Sequence, residues 1–247
     1  MQVGGREFRD SLPTGLARVP VIELVSLAFG SYPNVESFNS GFRPGHPKMC
    51  LTLDGEPDAE VGDAVLHRRL VEAFPGLTAH LCQAGGSDPR RGICLVEDDP
   101  TANQAHLLEH LMLEMLSSLD GVGRLSGVTC AYSSPPERSD IFVECDRPDS
   151  GSLVSLMALE AMNAALAGEP LAPCYPDMLV CARELRGCSA DAWLAAGLAR
   201  ATGLPTGRTA AALEALSRVR VVQEVPFAMN FSGEPLYRFV GVGGTSA

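Results

Sequence analysis

A chain of 247 residues with ordinary shares of apolar and charged residues can bury one sizeable core or two modest ones, so it reads as a globular protein of one or two domains. Its 30 acidic residues against 19 basic ones leave a formal charge of −11, which argues against a nucleic-acid partner, because binding to phosphates is driven by clustered Lys and Arg. The same charge suits a cationic partner such as an arginine-bearing peptide, and equally serves solubility alone.

No apolar run reaches membrane-spanning length; the best, VPVIELVSLAFG from Val19, is broken by Glu23. Eight irregularly spaced cysteines without a C-x-x-C pair, in a chain with no signal peptide, read as reduced thiols of a cytoplasmic protein.

In chain order, residues 1–18 lack periodicity and are expected to form a flexible leader ahead of a domain over 19–205. VIELVSLAFG reads as a strand, GSYPNVESFNSGFRPGHP as a long polar loop, and KMCLTLD as a second strand. DAEVGDAVLHRRLVEAFPG has helical spacing and stops at Pro75-Gly76, with short strands expected around TAHLC and RRGICLVE. The next helix, containing QAHLLEHLMLEML, is set up by a cap at Asp99-Pro100 or Thr101 and ends near Asp120-Gly121. GVTCAYS and DIFVECD read as strands paired across SPPERS. Helices follow in SGSLVSLMALEAMNAALAG, with a Ser cap, and in YPDMLVCARELRG and SADAWLAAGLARATG. Over 206–247 the helix TAAALEALSR and the strands VRVVQEVPFA and PLYRFVGVG are expected to pack on the same domain. Strands and helices so intermixed predict the α+β class, with a mixed or antiparallel sheet and helices packed on one face.

The central helix carries the chemistry. His106 and His110 lie one turn apart on one face and Glu109 falls beside them, giving the pattern H-x-x-E-H. Two imidazoles so spaced can ligate Zn²⁺, and the carboxylate can take a proton from metal-bound water. A core histidine bonded to a carbonyl and a solvated Glu-His edge are the structural alternatives.

This motif is the inverted form of H-E-x-x-H, and it resembles the site of pitrilysin-type metallopeptidases, or inverzincins. In that family the third zinc ligand is a glutamate on a later helix, after two strands and an intervening helix. The same succession here ends in CAREL, so the resemblance implies Glu184, 74 positions after His110, as the third ligand, and a pitrilysin-like core. A second resemblance covers residues from about 29 to 205. The pieces GSYPN, FPGLTAHLCQAGG, HLLEHLMLEM with GVT after it, DIFVECD, SLMALEAMNAAL and PLAPCYPDMLVCAREL are similar to the N-terminal domain of cyanophycin synthetases. That domain holds an arginine-rich polymer, and in some members it carries a metallopeptidase-like site that cuts the polymer. The chain has no G-x-x-x-x-G-K-[ST] phosphate loop and no room for the family's ATP-using modules, so the resemblance implies the hydrolase or binding half alone.

Three further residues are candidates. Glu114, one turn past His110, could be a ligand on the same helix, but three ligands at i, i+4 and i+8 rarely converge on one ion, so it reads rather as a residue supporting the ligands or as structural. Glu144, in FVECD, is a rival for the third ligand, and reads also as an acceptor for a metal-bound histidine or as an edge-strand residue facing water. His80 reads as a substrate or oxyanion contact, or as packing. Tyr32, Asn34 and Arg43 in the polar loop could grip a peptide, or simply furnish a polar loop.

The expectation is therefore a zinc metallopeptidase-like amide hydrolase acting on a peptide, an isopeptide or a small amide. Glu109 would be its base, His106, His110 and Glu184 its metal ligands, and an arginine- or aspartate-containing peptide its substrate. The alternative is a non-catalytic peptide- or polymer-binding module that partners a separate ATP-dependent ligase. The pitrilysin family builds its chamber from two related halves. One is visible here, which implies a homodimer or an open site.

Overall fold

The computed structural model describes residues 22–55, 63–79, 104–121, 125–169, 171, 175–188, 192–225 and 234–240. The leader, the strand expected at RRGICLVE, the caps expected at Asp99 to Thr101, and His80 lie outside them. Of TAHLC only Thr78 and Ala79 are described, and they belong to a 3-10 turn over Pro75–Ala79 rather than a strand.

β1 (Ile22–Gly30) and β2 (Lys48–Gly55) flank the polar loop, which contains a short helix α1 (Pro33–Glu36). α2 (Asp63–Ala73) precedes the 3-10 turn, and α3 (Gln104–Asp120) precedes β3 (Gly127–Ala131) and β4 (Arg138–Glu144). These strands form one antiparallel sheet in the order β1-β2-β4-β3. Its alternation decides which side is covered. Met49, Leu51, Leu53, Ile141 and Val143 are buried on the inner face, while Cys50, Thr52 and Asp54 stay half-exposed on the other.

α3 lies across that inner face. Its apolar residues run almost all the way round, and such a helix is covered on all sides. Leu108, Leu111, Met112 and Met115 are fully buried. α4 (Pro148–Leu166) packs beside α3 and clasps the edge of the sheet. Its Asn163 amide accepts from Ile22 N at 2.9 Å and donates to Ile22 O at 3.0 Å. α4 has no Ser cap. It starts with Pro148, whose ring already holds the φ a first helical turn needs, and Ser150 instead turns its hydroxyl to Asp120 Oδ1 at 2.9 Å.

α5 (Tyr175–Gly187) lies against α3 and carries α6 (Ala195–Thr202) and α7 (Thr206–Arg218). β5 (Trp193–Leu194), β6 (Val222–Val225) and β7 (Leu236–Phe239) make a second antiparallel sheet in the order β5-β7-β6. Trp193 and Leu194, expected to be helical, pair instead with Tyr237 and Leu236, a tertiary contact that outweighs local propensity. One hydrophobic cluster runs from Ile22 through α3 and α5 to Leu213, Val222 and Tyr237. The class is α+β, with two antiparallel sheets. Among the described residues no helix is long and apolar enough to cross a membrane, and all five cysteines are free.

Candidate active site

The turn of α3 that carries the motif meets the sheet at β3. Glu109 is only 4% exposed, because the apolar residues around it draw that side of the helix inward. Its Oε2 accepts a hydrogen bond of 2.6 Å from Thr129 Oγ1 on β3. Its Oε1 lies against the backbone of Gly127, where a Cβ would sit 2.7 Å away. Glycine is therefore the residue that lets the strand pass over the carboxyl group. Burial pushes the Glu109 carboxyl up to about 7, even though the Thr129 hydroxyl pulls the other way. A carboxyl group titrating near neutrality can both take and return a proton.

His106 and His110 stand edge to face, with ring centroids 4.9 Å apart and planes at 67°. His106 is half-buried at the helix surface and His110 is buried beneath it. Two imidazoles this close, one turn apart, are a donor set that fits a single borderline-soft divalent ion. The fit is partial. Among the described residues no three His, Cys, Asp or Glu side chains gather as a metal cluster.

Glu184 is half-buried on α5. Its neighbour Arg183 donates to Ser118 O at 3.3 Å, and Arg186 donates to Leu119 O at 3.3 Å. Those carbonyls lie eight and nine residues after His110, about 12 Å along the helix axis. This turn of α5 is thus anchored at the far end of α3 from the histidines. Arg186 also pairs with Asp120 at 2.6 Å and reaches the Ser150 hydroxyl, tying together the ends of three helices.

Glu114 packs its carboxyl group over Gly76 in the 3-10 turn. Glu144 is 1% exposed and β4 is an inner strand, so the edge position facing water is excluded. Its Oε1 accepts from Arg43 N at 2.6 Å and its Oε2 from Arg43 Nε at 3.3 Å. Arg43 is thus turned towards Glu144 and Asp146, and Tyr32 is stacked edge-on against Phe142 with centroids 5.1 Å apart. Neither stands out as a free hand for a peptide.

Sequence reasoning missed Gly127 and Thr129. Their signal was present in GVT directly after the histidine helix, a small residue and a hydroxyl two apart on one face of a strand. No protein-family model matches the chain, and no curated protein matches it.

Proposed function

We propose that this protein is a metal-dependent hydrolase of an amide bond in a peptide or isopeptide, with the turn from His106 to His110 as its centre. The observation that carries the reading is the pairing of two imidazoles 4.9 Å apart with a buried Glu109 carboxyl group held in place by Thr129. His106 and His110 would hold zinc; the likeness of CAREL to the pitrilysin-type motif offers Glu184 as the third ligand, although Arg183 and Arg186 anchor its turn of α5 at the far end of α3. Bound zinc supplies Lewis acidity to the carbonyl and to a water. Glu109 takes the proton of the attacking water and returns it to the departing amine, so the base ends the cycle in the state in which it began it. Thr129 holds the carboxyl group in place through Oε2. The likeness to the N-terminal domain of cyanophycin synthetases favours a cationic, arginine- and aspartate-containing substrate, and the charge of −11 agrees with it.

A second reading is favoured by one observation, the absence of a third donor beside the histidines among the described residues. On that reading the chain is a non-catalytic module that grips a basic peptide and partners a separate ligase.

Elemental analysis decides between them. The hydrolase retains about one zinc per chain; it loses the metal on His110→Ala, and Glu184→Gln weakens retention. Glu109→Gln abolishes cleavage of arginine- and aspartate-containing peptides and leaves the fold intact. A purified protein that holds no zinc, and whose melting temperature does not rise with added zinc, leaves only the binding module.

A further inference from the structure

The elements from α5 to β7 make a second recognisable unit. α6 ends at Thr202, Gly203 turns the chain with φ 74°, Leu204 and Pro205 follow, and α7 begins at Thr206. Two helices joined by a three-residue turn with glycine at the bend are a helix-turn-helix. α5 packs behind both helices, and β6 lies beside α7, paired with β7, which also pairs with β5. Thr209, Ala212, Leu213 and Leu216 make the buried side of α7. Arg208 fixes how the helix lies, because its Nε and Nη2 donate to both oxygens of the buried Asp177 carboxylate on α5, at 2.8 and 2.7 Å.

The opposite side of α7 faces water. Gly207, Ala211, Glu214 and Arg218 recur at i, i+4, i+7 and i+11, which is one stripe, and all four are exposed. Two of them are small, so the helix backbone can come close to a partner. The charge around this stripe differs from that of the whole chain. Residues 193–240 contain five arginines and three glutamates, with no lysine or aspartate, so they carry +2 while the rest of the chain carries −13. The total of −11, which argues against a nucleic-acid partner, is thus an average over two unlike parts. Arg200, Arg218, Arg220 and Arg238 are all exposed. Among the described residues the exposed large apolar side chains are Val25, Phe38, Val65 and Tyr132, none of them in this unit. Its surface therefore lacks the apolar patch on which a protein partner would centre, and its arginines suit phosphates.

We infer that this helix-turn-helix binds duplex DNA, with the exposed stripe of α7 in the major groove, which is wide enough to admit one helix, and the exposed arginines of the unit on phosphates. The inference needs neither zinc nor Glu109, and it stands or falls apart from the hydrolase reading.

The test titrates the full chain into a fluorescein-labelled duplex of mixed sequence and about two helical turns, roughly 20 base pairs, read by anisotropy. Binding should weaken by about a hundredfold between about 50 and about 200 mM salt, the loss expected when about four phosphates are neutralised. Ala211→Glu puts a carboxylate on the groove face and should weaken binding by at least about tenfold. Arg218→Ala should weaken it severalfold and lower the salt slope by about one. Both positions are exposed, so the melting temperature should stay unmoved in both variants. No binding at about 50 mM salt, equal binding of the single strand of the same sequence, or binding indifferent to Ala211→Glu overturns the inference. A dimer of the chain that Ala211→Glu dissociates overturns it as well, because the same face would then join two copies.

Discussion

At the scale of single residues, the contact between Gly127 and Glu109 is the tightest constraint on the site. A methyl group at 127 would stand 2.7 Å from Oε1 and 3.0 Å from both Cδ and Cγ, with no free space beside a carboxyl group that is 4% exposed. Gly127→Ala should therefore destabilise the protein by about 1–3 kcal/mol in urea unfolding, and it should reduce any hydrolysis by moving the base. The carboxyl group also gives the metal-free protein a pH signature. Its folded pKa, about 7, lies above the ordinary 4.5, so its contribution to stability is complete below pH 4.5 and disappears as the pH rises to about 7. The full swing is about 3 kcal/mol, since each pKa unit is worth about 1.4 kcal/mol. Asp54 and Asp146, held below the usual carboxylate range by Arg138 and His46 respectively, act in the opposite sense. The informative quantity is thus the melting temperature of the parent minus that of Glu109→Gln in chelator, which should fall between pH 5 and pH 8. A flat difference would mean that Glu109 is not buried as described.

At the scale of elements, the loop before β2 is held by a charge taken wholly out of water. Lys48 is 0% exposed, with its ammonium group on Glu36, on the carbonyl of His46 at 3.0 Å, and over the Phe42 ring at 5.0 Å. Removing only the carboxylate leaves an uncompensated buried cation, whereas replacing the cation by an apolar chain of similar length leaves Glu36 free to turn to solvent. Glu36→Ala should cost more stability than Lys48→Met, both read by urea denaturation. Equal costs would show that the pair is not desolvated. The loop was legible in the sequence as polar and long. Its rigidity was not, because the partners of its charges sit about 100 residues away at Glu144 and Asp146.

At the scale of the whole molecule, one hydrophobic cluster joins the four-stranded sheet, α3 and the second sheet. The single tryptophan, Trp193, packs half-buried on that cluster in the second sheet. Its fluorescence and the far-UV circular dichroism should report coincident unfolding transitions, and a separate early fluorescence transition would mean that the second sheet unfolds alone. Much of this architecture follows from the sequence by itself. The period of two in KMCLTLD, the helical spacing through QAHLLEHLMLEML, and the placing of His106, Glu109 and His110 on one turn are local properties, decided by backbone geometry whatever packs around them. Tertiary structure decided the rest. Whether Glu184 approaches the histidines depends on where Arg183 and Arg186 anchor α5, and the polarity of Glu109 depends on which residue of β3 lies above it. Burial, charge pairing and convergence on a shared ion are distances between segments far apart in the chain, and spacing along the chain carries no such distance.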